Sequence, residues 1–304
     1  MKKIYDFNEK VLVITGASSQ TAHYFFDRLR KENFSGQLRC LVRKDTDITQ
    51  INLSKLNNTF YFVNLENPKS FQSALIGANI VIHIAHISFS EKVIKTGIKE
   101  GIEWFICIHT TGRYSKFKSA SKRYIEIEDN LLANYNNLTI LRPTMIYGNQ
   151  KDRNMWKLIN YLNKNKFFPI FGSGRNLLQP IHSKDLGYAY LDVIKNKAKT
   201  FNQQYNLSGA EIIQYKRLLE IISLQLNKRT IFINIPIKLS LMIVYLLNKI
   251  PTSIFKSPIK VEQVKRMMED KNFSNQKARI DFNFNPVSIT QGISEEIKLY
   301  LEKI

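Results

Sequence analysis

The residues best suited to chemistry stand in one early turn, Thr15-Gly16-Ala17-Ser18-Ser19-Gln20-Thr21-Ala22. The turn follows an apolar run, Val11–Thr15, and precedes a segment with Ala22, Phe25, Phe26 and Leu29 at helical spacing. A strand, a tight turn and a helix in that order let backbone N–H groups at the helix N-terminus approach a pyrophosphate. Gly16 supplies the tight turn, while Ser18, Ser19 and Thr21 offer hydroxyl donors on either side of Gln20. The glycine pattern of a dinucleotide turn is incomplete, since Ser19 and Ala22 stand where its second and third glycines are expected. A second apolar run, residues 38–42, ends in Val42-Arg43-Lys44. A carboxylate at that place would bind a ribose 2′-hydroxyl, whereas two cations suit a 2′-phosphate. Arg43 and Lys44 therefore point to NADP, with NAD as the alternative.

Such groups need a frame, and the first half of the chain provides one. Further apolar runs at 60–63, 80–85, 105–108 and 138–141 read as strands, most of them separated by helical patterns near 68–76, 90–101 and 117–135. Strands that are apolar throughout and alternate with helices predict an α/β fold, a Rossmann-like doubly wound parallel sheet covered on both faces. Ligands of that architecture sit at the carboxyl ends of the strands. After Gly148 the alternation loosens. A helix at Met155–Lys164, a glycine-containing loop, a strand at 179–181 and a helix at 183–196 come first. A strand at Gln204–Leu207, a helix at 215–226, a strand at 230–235, an apolar helix and a last helix at 289–303 follow. The reading divides the chain into a Rossmann domain, 1–148, whose sheet can recruit later strands, and a smaller C-terminal α/β substrate lobe, 149–304, partly interleaved with it.

With these elements in place, the stretches TGASSQTA, LVRK, VNLEN, VIHIAH, ICIHTTGRYS, LRPTMIYG, QPIHSKDLGYA and RMMEDKNFSNQKARIDFNFNP can be taken together. The chain resembles the extended and atypical short-chain dehydrogenase/reductases, specifically the NAD-dependent epimerase/dehydratase family, over nearly its whole length. LRPTMIYG followed by PIHSKDLGYA is the most specific pair. The resemblance implies that Asn64 and Leu65 flank an adenine, that Ala85 and His86 pass beside ribose and pyrophosphate, and that Pro143 and Thr144 face the nicotinamide. It also implies a homodimer formed through the fourth and fifth helices.

In that family a Tyr serves as acid and base, a Lys four residues on lowers its pKa, and a Ser or Thr orients the substrate oxygen. Three Tyr-x-x-x-Lys matches occur, Tyr114/Lys118, Tyr147/Lys151 and Tyr245/Lys249, and only the first follows the fifth strand. In one register Tyr114 is the acid/base, Lys118 its partner and Thr110 the orienting hydroxyl, with Thr111 as an alternative. In a second, Ser121-Lys122 and Glu126 match the family's Ser-Lys…Glu helix, Lys122 is the lysine, and the tyrosine position falls on Lys118. The first register is favoured because it retains a phenol. A helix beginning as early as Tyr114 would place Tyr114, Lys118, Lys122 and Glu126 on one stripe. On the substrate side, Arg175 and Gln179 could reach a sugar or diphosphate, a guanidinium being suited to phosphate oxygens. His182 and Asp185 read as a packed residue and a helix-start residue.

The expected activity is that of an NAD(P)-dependent oxidoreductase or epimerase acting on a nucleotide-activated sugar, keto-sugar reduction being favoured. The alternative is a non-catalytic NADP-binding sensor or assembly subunit. The net charge of +20 on 304 residues fits a field that attracts polyanionic small molecules. No helix-turn-helix, zinc-finger or aromatic RNA-binding signature accompanies the charge, so nucleic acid is not expected as a partner. Cys40 and Cys107 lie inside apolar runs and read as buried free thiols, with neither disulfide nor metal spacing. MKKIYDFNEK lacks the apolar core of a signal peptide, and the reading is cytoplasmic. The most apolar stretch, 233–247, is interrupted by Pro236 and Lys238 and is shorter than the ~20 residues of a membrane span. It reads as a buried helix rather than a membrane-surface one.

Overall fold

The computed structural model describes residues 6–150, 152, 154–247 and 261–303, apart from the side chains of Lys118, Ala120, Leu247 and Gln263. Lys151 and Lys249, each part of a Tyr-x-x-x-Lys match, lie outside the described residues. The first half runs β1 (Val11–Thr15), α1 (Gln20–Lys31), β2 (Gln37–Val42), β3 (Asn57–Phe62), α2 (Gln72–Leu75), β4 (Ile80–His83), α3 (Ser90–Lys99), β5 (Trp104–Ile108), α4 (Lys118–Asn134) and β6 (Leu138–Pro143). Then come β7 (Ile146–Tyr147), α5 (Met155–Lys164), β8 (Phe167–Phe171), β9 (Leu177–Leu178), β10 (Ile181–His182), α6 (Ser183–Lys195), α7 (Lys197–Thr200) and β11 (Gln204–Leu207). The remainder is β12 (Ile213–Gln214), α8 (Tyr215–Gln225), β13 (Ile231–Ile235), α9 (Ile237–Leu247), α10 (Val261–Met267), α11 (Gln276–Phe282) and α12 (Ile289–Leu301).

Seven strands form one sheet in the order β11-β6-β5-β4-β1-β2-β3, and every neighbouring pair is parallel. Successive side chains of a strand point to opposite faces, so a parallel sheet covered on both sides needs apolar residues at each position. β1 shows this directly: Leu12 and Ile14 join one core with Phe25, Phe26 and Leu29 of α1, and Val13 joins the other with Val93 and Ile94 of α3. The doubly wound sheet is therefore present. Its seventh strand, β11, comes from beyond residue 149, and α6, also from the second half, packs on α1. The strand order reverses between β1 and β4, which opens a crevice at their carboxyl ends.

Three two-stranded pairs, β8 with β13, β9 with β12 and β7 with β10, stand apart from that sheet, and α5, α8 and α12 pack on one another. A third apolar core includes Tyr147, Ile159, Ile170, Ile222, Ile293 and Tyr300.

Several elements differ from expectation. The strand placed at 179–181 is two short ones, Leu177–Leu178 and Ile181–His182, on either side of Gln179-Pro180, where proline lacks the N–H a ladder needs. The apolar run 233–247 divides at Pro236 into the end of β13 and α9. That helix is buried on one face only: Val244 is buried, whereas Leu239, Met242 and Leu246 are 42%, 52% and 53% exposed. β8 contains Pro169 and was not expected; its partner β13 covers one side only, which leaves an edge that tolerates proline.

Cys40 and Cys107 are free and buried, and burial pushes the Cys40 thiol up to about 12. Among the described residues no helix is long and apolar enough to cross a membrane, and no cluster of three or more His, Cys, Asp or Glu is placed to hold a metal.

Candidate functional site

The turn after β1 is shaped by a close approach of two backbones. Gly16 has φ +70°, and a Cβ on it would lie 2.9 Å from the Ala85 nitrogen, so no side chain fits. Thr15 fixes that approach. Its hydroxyl accepts from the Ala85 N–H at 3.3 Å and is hydrogen-bonded to His83 Nδ1 at 2.7 Å. Burial pushes His83 down to about 3, so its ring is neutral. Ser19 caps α1, its hydroxyl accepting from the Ala22 N–H at 3.3 Å, and the first turn of the helix has no acidic residue. The positive end of α1 therefore faces the crevice.

A cavity of about 730 Å³ lies at this edge, walled by Gly16, Ser18, Ser19, Leu41, Val42, Arg43, Lys44, Thr46, Val63, Asn64, Leu65, Ala85, His86 and Phe89 among others. A second cavity of about 440 Å³ shares Ser19, Ala85 and His86 and adds Gln20, Thr21, His109, Thr110, Tyr124, Asn149 and Tyr190. The shared walls make one crevice, with Arg43 and Lys44 at one end and Thr110 and Tyr124 at the other. Of the residues expected around a dinucleotide, only Pro143 and Thr144 are not on these walls. The Pro143 carbonyl accepts from the Thr111 hydroxyl at 3.2 Å, and the Thr144 N–H donates to the Leu207 carbonyl at 3.0 Å. Both are held in the frame behind the crevice.

Several wall residues already have partners. The Thr21 hydroxyl is 3.1 Å from the Tyr190 hydroxyl and 3.3 Å from Ser19 Oγ, which ties it to the helix packing. Arg43 is 82% exposed, with Asp45 at 3.6 Å. The Asn64 side-chain oxygen accepts from the Glu66 N–H at 3.0 Å, and His86 Nδ1 is 2.9 Å from Ser88 Oγ.

The expected catalytic groups are not brought together. Thr110 is on the wall, its hydroxyl accepting from the Gly112 N–H at 3.0 Å to cap the short turn Thr111–Tyr114. The chain is extended at Ser115 and Phe117, and α4 begins only at Lys118. Tyr114 and Lys118 thus do not share a helix, and the stripe conditional on an earlier start does not form. The Tyr114 hydroxyl donates to Asn206 Oδ1 on β11 at 3.2 Å, its ring centre is 5.2 Å from that of Phe273, and it lines neither cavity. The Lys118 side chain lies outside the described residues. Lys122 is 72% exposed, with Glu126 at 3.8 Å.

The phenol on the wall beside Thr110 is Tyr124, which the sequence reading missed. A Cβ on Gly112 would be 3.3 Å from its ring. A signal was available: Ser121, Tyr124 and Glu128 share one face of α4, and Ser121 and Glu128 are buried. Glu128 accepts from His109 Nδ1 at 2.9 Å, from Arg142 Nε at 2.7 Å and from the Arg113 guanidinium. Burial alone would raise this carboxyl; the His109 hydrogen bond and the Arg142 charge outweigh it and hold it at about 2. Burial lowers His109, and Ser90 Oγ is 3.2 Å from its Nε2.

The two expected substrate contacts also lie off the crevice walls. Gln179 is buried, its amide donating to the Gly209 carbonyl at 2.9 Å and accepting from the Phe273 N–H at 3.1 Å. Arg175 is exposed in the loop after β8. His182 packs edge-on against Tyr147, and Asp185 accepts from the Val287 N–H at 3.0 Å.

No family model matches the sequence, and no curated protein does. Solved structures do. UDP-glucose 4-epimerase from Thermotoga maritima, solved with UDP-glucose, is 15% identical with a TM-score of 0.71, over 96% of this chain and 99% of that one. UDP-glucuronic acid 4-epimerase from Bacillus cereus, in complex with UDP-glucuronic acid and NAD, is 14% identical with a TM-score of 0.72, over 97% of this chain and 100% of that one. dTDP-glucose 4,6-dehydratase from Bacillus anthracis, in complex with NAD, is 14% identical with a TM-score of 0.70, over 96% and 97%. At these identities the likeness is one of fold, and it spans nearly the whole chain. The fold is that of the nucleotide-sugar epimerases and dehydratases, as the resemblance in the sequence led one to expect.

Proposed function

We propose that this protein binds NADP, with NAD as the alternative, and uses it as an oxidoreductase or epimerase on a nucleotide-activated sugar, reduction of a keto-sugar being the favoured direction. The observation that carries the reading is the single crevice at the β1/β4 switch point, floored by Gly16 where no Cβ fits and ending in a hydroxyl and a phenol. The residues present suit such a cofactor, which would supply or accept the hydride when bound. The N-terminus of α1, with Ser18 and Ser19, holds the pyrophosphate, and Arg43 and Lys44 pair with the 2′-phosphate. Asn64 and Leu65 border the adenine. At the other end Thr110 orients the substrate oxygen, and Tyr124 gives or takes its proton. The solved structures of this fold with UDP-glucose and with UDP-glucuronic acid support the substrate class.

A second reading, cofactor binding without turnover, draws on the engagement of Tyr114 by Asn206 and the solvent exposure of Lys122. Both readings require the cofactor. NADPH at a hundredfold excess over its Kd should stabilise the fold by about 3 kcal/mol in a thermal-shift assay, and NADH by less. Replacing Arg43 and Lys44 with Ala should abolish the difference between the two. No stabilisation by either nucleotide would sink the proposal.

A further inference from the structure

We propose that this protein docks on an anionic membrane surface, with the outer face of α9 set among the lipid headgroups. The 11 residues of α9, IKLSLMIVYLL, are apolar nearly all round. Two stripes at i, i+3, i+4 and i+7 spacing divide the helix. One, Ile237, Ser240, Leu241 and Val244, is buried or half-buried. The other, Leu239, Met242, Ile243 and Leu246, is 36% to 53% exposed. A helix apolar on every face belongs either inside a protein or against lipid. Single exposed apolar residues need no explanation, but four on one face do.

The strand before it follows the same rule. Ile231 and Ile233 of β13 are 56% and 48% exposed, and Ile231 is in register with Phe167 of β8, which is 54% exposed. The outward side of that two-stranded ribbon is thus apolar as well.

Charge decides the occupant. The described residues between Lys228 and Arg266 carry five Lys or Arg, namely Lys228, Arg229, Lys238, Lys265 and Arg266, and one acidic residue, Glu262, within a chain of net charge +20. A second copy on this face would set two such basic stretches against each other, and like charges repel. An anionic bilayer supplies the opposite charge together with an apolar layer for the exposed stripe. The apolar run that begins after Pro236 is followed by Asn248-Lys249 and Pro251, short of the ~20 residues of a span, so the helix is set in the plane of the interface rather than across it.

Flotation of the full chain with vesicles tests this. Binding to vesicles of equal parts phosphatidylglycerol and phosphatidylcholine should be at least about tenfold tighter than to phosphatidylcholine alone, and should weaken with salt. The triple substitution Leu239→Ser, Met242→Ser, Leu246→Ser should reduce that binding about tenfold or more while leaving the thermal shift by NADPH unchanged. If the triple variant does not fold, Lys238→Glu, at an exposed position, should still reduce binding measurably. Absence of binding to the anionic vesicles overturns the proposal. So does binding that these substitutions leave unchanged, or a wild-type dimer in sedimentation that the triple variant turns into a monomer.

Discussion

Tyr124 reaches the crevice because Glu128, one turn further along α4, is fixed from three sides by His109, Arg113 and Arg142. A residue four positions earlier on the same helix face inherits that setting. Tyr114, by contrast, is spent on Asn206 and Phe273. If Tyr124 is the proton donor, Tyr124→Phe should slow NADPH-dependent reduction of a UDP-4-keto-sugar about 10²- to 10⁴-fold, with the thermal shift by NADPH intact. Tyr114→Phe should leave the rate nearly unchanged. The opposite pattern in the two variants would return the role to Tyr114, whereas a wild-type protein that binds NADPH and turns over no keto-sugar would favour the binding-only reading.

At the scale of elements, α4 is held in place by a buried carboxylate whose charge is fully compensated. Glu128→Gln removes the negative charge and leaves Arg142 buried without its counter-charge, a loss of about 3–5 kcal/mol measured by urea unfolding at neutral pH. The Glu128 carboxyl lies below its ordinary value of 4.5, at about 2, so the unfolded chain takes up this proton first as pH falls. Its contribution is complete above about 4.5 and is lost as pH falls through about 2, so the gap between wild type and variant should close over that window. A gap independent of pH would mean that the cost is steric. The placing of the strands was legible because each is apolar throughout and needs cover on both faces. The turn at Gly16 and the cations Arg43 and Lys44 were read from that frame, whereas Asn64, Ala85 and His86 came from the family resemblance. What stayed hidden depends on partners distant in sequence: Gln179 is satisfied by Gly209 and Phe273, and Thr144 by Leu207. Tyr124 was overlooked because a lysine was sought four residues on, where a buried glutamate stands. The exposure of α9 could not be read from a pattern that is apolar on every side.

Across the whole molecule the two halves meet where the chain leaves β7. Gly148 has φ +95°, and a Cβ there would lie 2.1 Å from His182 Nε2. The Gly148 N–H donates to Glu296 of α12 at 3.0 Å, and the next residue, Asn149, is a wall of the crevice. The last helix of the chain thus holds the loop that borders the site. Glu296 is fully buried, and its other oxygen has no partner among the described residues. Burial, with the charge of Asp152 adding to it, pushes its carboxyl from 4.5 up to about 8. Below about 4.5 the group is protonated in the folded and the unfolded chain alike, and stability is unaffected by it. Between about 4.5 and 8 the unfolded chain releases a proton that the folded protein keeps, so folding becomes less favourable as pH rises, and above about 8 the full cost is present. Glu296→Gln keeps an acceptor for the Gly148 N–H and cannot ionise. The variant should therefore gain on wild type as pH rises from about 5 to 8, reaching on the order of 3 kcal/mol and then levelling off, as followed by urea unfolding across that range. A difference that does not change with pH would show that Glu296 does not hold its proton in the folded protein.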